Sequence, residues 1–189
     1  MDGGDVAAAV AEMLRVLVPA QDLDWGVRAG LLEWTCTETA AHVAHDLTAY
    51  ATQLAGRVSD AYLPLDLTVP PGTAPAGVLR VVASCGAMLG AVLHAAGPDA
   101  RAWHWGPADP SGFAAMGVNE TLVHTWDVTQ GLGIGWSPPA DLAAGVLTRL
   151  FPDAPSGDPG EVLLWCTGRI ALPGHPRRTE EWRMRVARG

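Results

Sequence analysis

Read by its apolar and polar positions, the chain divides into helices separated by proline- and glycine-rich breaks. The first helix is predicted over Asp5 to Val18, an Ala- and Leu-rich run closed by Pro19. After the loop "AQDLDWGVRAGLLEW", a second is predicted to begin at "TCTE", where Thr35 and Glu38 have capping-box spacing, and to run to Arg57 or Val58. "SDAYLPLDLTVPPGT" holds too many prolines for a helix and reads as a loop. The third helix is predicted from Pro75, with Thr73 as its cap. Val78, Val81, Val82, Cys85, Leu89, Val92 and Leu93 give it a broad apolar face, and Gly97-Pro98 stops it. Beyond the Trp-rich connection "DARAWHWGPADP", Asp109-Pro110 opens a fourth helix that ends at Gly131 or Gly133. Ser137-Pro138 opens a fifth, ending near Phe151-Pro152, and Asp158-Pro159 a short sixth closed by Gly168. "EEWRMRV" alternates weakly, as a strand would, but strand patterning is otherwise nearly absent and no repeat is evident. The predicted fold class is all-α: a four-helix bundle over residues 1–152, with a short C-terminal extension over 153–189 packed on it.

One segment breaks the ordinary amphipathic rule. In "GVNETLVHTWDVTQGLG", Glu120, His124 and Asp127 fall on the same helical face as Phe113, Met116 and Val123. Burying two carboxylates without partners costs several kcal/mol or forces their protonation, and a cation would remove that cost. Residues four apart on a helix can reach one ion together, so Glu120 and His124 are candidate ligands for zinc, iron, manganese or nickel. Asp127 is placed to orient a ligand from behind. A plain internal hydrogen bond or a surface pair has the same spacing. A third ligand must come from elsewhere, and the second helix carries His42, His45 and Asp46 in "AAHVAHD". On a helical wheel His42 faces away from Val43, Leu47, Ala51 and Leu54, which suits either an open metal site or a solvated polar face.

Composition narrows the chemistry. Of 189 residues 49% are hydrophobic, enough for a substantial core, and the net charge of -8 with a pI near 5.0 disfavours nucleic acid and anionic membranes as partners. Every cationic residue is Arg; without Lys there is neither a Schiff-base nor a P-loop lysine. Cys36, Cys85 and Cys166 form no CxxC pair, so a thiolate zinc site or a disulfide framework is not expected, and a reduced cytoplasmic setting is. The N-terminus lacks a signal-peptide pattern, and no apolar run is read as reaching the ~18 residues of a membrane span. Arg177 and Arg178 read as surface residues; Arg80, on the third helix, reads as a surface residue first and as a candidate anion contact second. Cys36, in the first turn of the second helix, sits where a thiol pKa can fall.

Two motifs carry a family resemblance. "WTCTETAAHVAHDL", with Trp34 eight residues before His42, resembles the opening of DinB-like helical bundles, and more closely the N-terminal domain of mycothiol-dependent maleylpyruvate isomerases. "NETLVHTWD" is similar to that family's second motif, E-x-x-x-H-x-x-D. The resemblance spans roughly Asp5 to Gly133. It implies a divalent metal, usually zinc, held by His42, Glu120 and His124, with mycothiol as the co-substrate thiol. His45 and Asp46 would then flank the ligands.

Three protein ligands leave a coordination position for water or a thiol. The expected function is a metal-dependent enzyme that uses a low-molecular-weight thiol for isomerisation or S-transfer on a small electrophile. Competing readings are a non-catalytic metal- or ligand-binding bundle and a hydrolase using metal-bound hydroxide. Trp103, Trp105, Trp126 and Trp136 are candidates to line a substrate pocket, and His104 is a candidate for acid–base work. About forty residues follow the bundle, too few for the isomerase's larger C-terminal domain, so substrate contacts of that kind are not expected. No oligomer is required, although an exposed apolar face would support a homodimer.

Overall fold

The computed structural model describes residues 1–179 and 184–187. Among these, six α-helices account for nearly all the regular structure. Helix α1, Gly3–Leu17, starts two residues earlier than the apolar pattern indicates, because Asp2 caps it reciprocally with Asp5. A 3-10 turn, Val18–Ala20, follows. Helix α2, Cys36–Gly56, has the expected cap: the Thr35 hydroxyl accepts from Glu38 N, and the Glu38 carboxylate accepts from Thr35 N. Helix α3, Pro75–Ala95, follows Ala74 rather than a side-chain cap. Thr73 does not cap it; its hydroxyl is spent on Pro70 O at 2.6 Å.

The Trp-rich connection folds into a small antiparallel hairpin, β1 Ala102–Trp103 with β2 Pro107–Ala108. Helix α4, Pro110–Gly131, is capped by Asp109, whose carboxylate accepts from Gly112 N at 2.7 Å. Helix α5, Ala140–Leu150, begins three residues after Ser137 with no side-chain cap. Helix α6, Pro159–Cys166, is capped by Asp158 as expected. Of the strand suggested for "EEWRMRV", Glu180 to Arg183 lie outside the described residues, and Met184 to Val186 are irregular. Arg185 N donates to Leu150 O, and the buried Arg149 side chain donates to Asp109 and to the carbonyls of Arg185 and Val186.

The helices pack as a four-helix bundle of the all-α, DinB-like type, with α5 on α4 and α6 on α5. Helices α1 and α2 each pack on both α3 and α4, which sets the order α1, α3, α2, α4 around the bundle and makes α2 and α4 neighbours. By length and composition α3 could cross a membrane, contrary to the reading of its sequence; here Val78, Val82, Leu89 and Leu93 are buried among its neighbours. Helix α4 differs from the others in having almost every side chain from Gly112 to Thr129 buried. Gly117 marks the centre of the bundle. A Cβ there would lie 2.7 Å from Leu89, 3.3 Å from Leu47 and 3.7 Å from Val6, one residue from each of the other three helices. Gly117→Val should therefore overpack the core, lowering unfolding free energy by ~1–3 kcal/mol, read from urea denaturation with the helical circular dichroism retained.

Candidate metal centre

The adjacency of α2 and α4 brings His42 to Glu120 and His124. Each of the three offers one donor atom, and these atoms lie within 4.8 Å of one another. Glu120 and His124 are buried one helical turn apart, with Glu120 Oε2 at 3.3 Å from His124 Nε2. The His42 ring meets the His124 ring edge-on at 5.1 Å between centroids. His42 is half-buried, so the polar face of α2 is turned toward α4 at this level. Trp34, just before the α2 cap, lays its ring 4.7 Å from His42.

Behind the donors runs a chain of charged hydrogen bonds. Asp127 Oδ2 lies 2.9 Å from His124 Nδ1, which leaves Nε2 facing Glu120 and His42. Arg169, just beyond α6, grips the same carboxylate with both arms, Nε to Oδ1 at 3.2 Å and Nη2 to Oδ2 at 2.7 Å. Its remaining arm donates to Thr167 O. Asn119 Nδ2 donates to Glu120 Oε1 at 3.3 Å. Burial pushes His124 toward its neutral form, but its hydrogen bonds to Asp127 and Glu120 prevail and carry the imidazole up to about 9. Burial likewise opposes ionisation of Glu120 and Asp127, yet both are held below the usual carboxylate range, Glu120 by His124, His42 and Arg169, Asp127 by His124 and Arg169.

A donor group of one carboxylate and two imidazoles, drawn from a W-T-x6-H helix and an E-x3-H-x2-D helix of one bundle, leads to a family comparison. The family model for the mycothiol maleylpyruvate isomerase N-terminal domain matches residues 6–129. The chain belongs to that family. No curated protein and no solved structure matched.

Around the donors of this mycothiol maleylpyruvate isomerase-like domain, the remaining candidates divide. Asp46 accompanies the group, its Oδ2 3.2 Å from His42 Nε2. The His45 ring stacks on that of His42 at 6.2 Å between centroids, with its Nδ1 toward Asp66 Oδ1 at 3.1 Å and the Leu67 backbone N–H at 3.3 Å. His104, in the hairpin turn, shares a hydrogen bond with the Tyr62 hydroxyl and stands edge-on to Tyr50. Burial depresses His104 to about 4 against the pull of Glu120, so it is neutral near pH 7. Trp126 does not join the site: two positions after His124, it stands about 200° round the helix. Trp136 is spent on a hydrogen bond to Glu12 of α1 at 2.8 Å, whereas Trp103 packs on Tyr62 and Trp105 on Trp103. Cys36 is not activated. Its thiol is fully buried beside Val128 O, and burial together with Asp24 pushes it up to about 11. Arg80 is exposed, as expected.

Sequence reasoning missed Arg169, Tyr50 and Tyr62. Arg169 lies outside the family match and 42 residues from Asp127, so no local spacing announces the pair. The two tyrosines are raised by burial first and then by Glu120 and Asp46, which puts them in the electrostatic reach of the donors.

Because the metal-free fold holds His124 above its ordinary 6.5, the stability it contributes is complete below that value and lost as pH climbs through about 9. The loss should be on the order of 3 kcal/mol, seen as a falling urea midpoint in metal-free protein. Glu120 and Asp127 act in the opposite sense, their contribution vanishing as pH drops below the carboxylate range. His124→Gln should flatten the alkaline limb; an unchanged alkaline slope in that variant would contradict the assignment.

Proposed function

We propose that the chain is a metal-dependent enzyme that uses a low-molecular-weight thiol, of the mycothiol kind, to isomerise a small electrophile or to transfer the thiol sulfur onto it. The observation that carries this reading is the cluster of His42, Glu120 and His124 in a family named for mycothiol and maleylpyruvate isomerase. The donor chemistry fits a divalent ion, zinc above all: two imidazoles and one carboxylate, with His124 fixed by Asp127 so that Nε2 is the free donor. Three protein donors leave room for one exogenous ligand. A bound zinc ion would lower the thiol's pKa and present it as thiolate.

The protein's own residues supply the rest. Asp127 and Arg169 keep the His124 ring in one orientation, and Arg169 neutralises the carboxylate so that the buried group is not a bare negative charge. Trp34 shields His42 from water on one side. Tyr62 and His104 form a neutral hydrogen-bonded pair within the electrostatic reach of Glu120, able to pass a proton to an oxygen of the substrate. In isomerisation, thiolate sulfur forms a bond to an alkene carbon and the π electrons move onto the conjugated carbonyl oxygen. Rotation about the resulting single bond follows; the electrons then return, re-form the alkene and expel the thiolate. In S-transfer the carbon–sulfur bond forms as the leaving group departs with its electron pair. The same reading makes a small molecule the partner and the cytoplasm the setting.

Purified protein should hold one equivalent of zinc per chain, measured by elemental analysis. His42→Ala, Glu120→Ala and His124→Ala should each weaken metal binding by more than the roughly 10–100-fold expected for partners behind a ligand, while Arg169→Gln should fall within that range. Cobalt(II)-substituted protein should develop a sulfur-to-metal charge-transfer band on addition of thiol. Turnover that needs no thiol would point instead to hydrolysis.

A further inference from the structure

Asn119 is fully buried, one residue before the donor Glu120. Successive residues of a helix point about 100° apart, so neighbours in sequence do not ordinarily meet through their side chains. These two do. Asn119 Nδ2 donates to Glu120 Oε1 at 3.3 Å. The same amide nitrogen donates to Met184 Sδ at 3.7 Å, 65 residues away in the C-terminal extension. Glu120 is thereby left with its other oxygen for the donor group, Oε2, which lies 3.3 Å from His124 Nε2. The two donors of α4 are held in the same manner. His124 has Asp127 behind it, and behind Asp127 stands Arg169; Glu120 has Asn119 behind it, and behind Asn119 stands Met184. In each case the outermost partner comes from beyond α6.

The choice of asparagine works against stability. Its Oδ1 is buried with no hydrogen-bond partner in the protein, one of two such side-chain atoms among the described residues. An unmatched buried acceptor destabilises the fold, whereas a leucine, with the same branching, carries no polar atom to match. Turning the amide over gives no relief, since it sets Oδ1 against the Glu120 carboxylate, oxygen to oxygen. The orphan oxygen is the consequence of keeping an N–H on Glu120 Oε1. Thr121 and Thr125, on the same helix, show the contrast: their hydroxyls are satisfied by backbone carbonyls one turn before.

We infer that Asn119 is a positioning residue: it holds one oxygen of Glu120 so that the carboxylate offers Oε2 alone, and so favours a four-coordinate zinc ion over a manganese ion. A carboxylate free at both oxygens can close on an ion with the pair of them. One whose Oε1 is taken up by an N–H gives a single contact, which with two imidazoles suits zinc in its usual tetrahedral set. Manganese favours octahedral, oxygen-rich surroundings, and a second carboxylate contact serves it better. The inference rests on the metal part of the proposed function and not on the thiol chemistry.

Zinc and manganese(II) affinities of the full chain are measured by chelator competition, and cobalt(II) serves as the spectroscopic probe. Asn119→Leu should weaken zinc binding roughly 10–100-fold, as for other partners behind a ligand, and change manganese binding by less than about 3-fold. The intense visible absorption of tetrahedral cobalt should fall in that variant. Its metal-free urea midpoint should match or exceed the parent's, because the orphan oxygen is gone; a merely structural asparagine would give the reverse, a lower midpoint with zinc affinity intact. Asn119→Ala removes the amide with less demand on space and should show the same loss of zinc relative to manganese. Zinc affinity and cobalt spectrum unchanged in both variants, or zinc and manganese weakened by the same factor, overturn the inference while the parent's metal binding stands. A parent chain that binds neither ion overturns it together with the metal reading.

Discussion

Helix α4 is enclosed on nearly every side, and that enclosure governs the molecule. A helix in contact with solvent can leave its polar side chains to water. One buried from Gly112 to Thr129 must match each of them within the protein. Thr121, Thr125 and Thr129 do so locally, by returning their hydroxyls to backbone carbonyls three or four residues before. Glu120, His124 and Asp127 pair with one another along the helix, but two carboxylates share one imidazole. The remainder is answered from α2 by His42 and from beyond α6 by Arg169, so the same constraint that closes the core assembles the reactive group.

Much of this was legible in the order of residues, for identifiable reasons. Thr35 and Glu38 satisfy each other's backbone across three residues, a purely local device that a sequence displays in full. The spacing of Glu120 and His124 is likewise local, and a carboxylate in an apolar stripe has few innocent explanations. His42 was harder. Its wheel position beside Glu38 and Asp46 resembles a solvated face, and only the packing of α2 against α4 turns that face inward. The choice of His42 over His45 came from the distance to Trp34, and the ring contact between Trp34 and His42 supplies the physical counterpart of that spacing.

What the sequence hid was set by contacts between distant segments. Thr73 and Ser137 looked like caps because the residue type is right, but a cap also needs its oxygen aimed at the helix, and Thr73 turns to Pro70 instead. Cys36 lies in a first turn, where a thiol pKa can fall, but complete burial against α4 drives it the other way. Trp126 shared a neighbourhood with the site in sequence and not in angle. Tyr62 and His104 meet across 42 residues through a hairpin too short to leave a strand pattern.

Arg169 has a consequence for how the family segment should be regarded. The matched stretch ends at residue 129, yet the guanidinium that completes the charge pattern behind His124 arrives from a loop forty residues later. The centre is thus not a portable cassette of two helices. Transplanting α2 and α4 into another scaffold would carry over the donors and the His124–Asp127 bond but lose the guanidinium on Asp127, leaving two carboxylates to share one imidazole, so a recipient must furnish its own counter-cation.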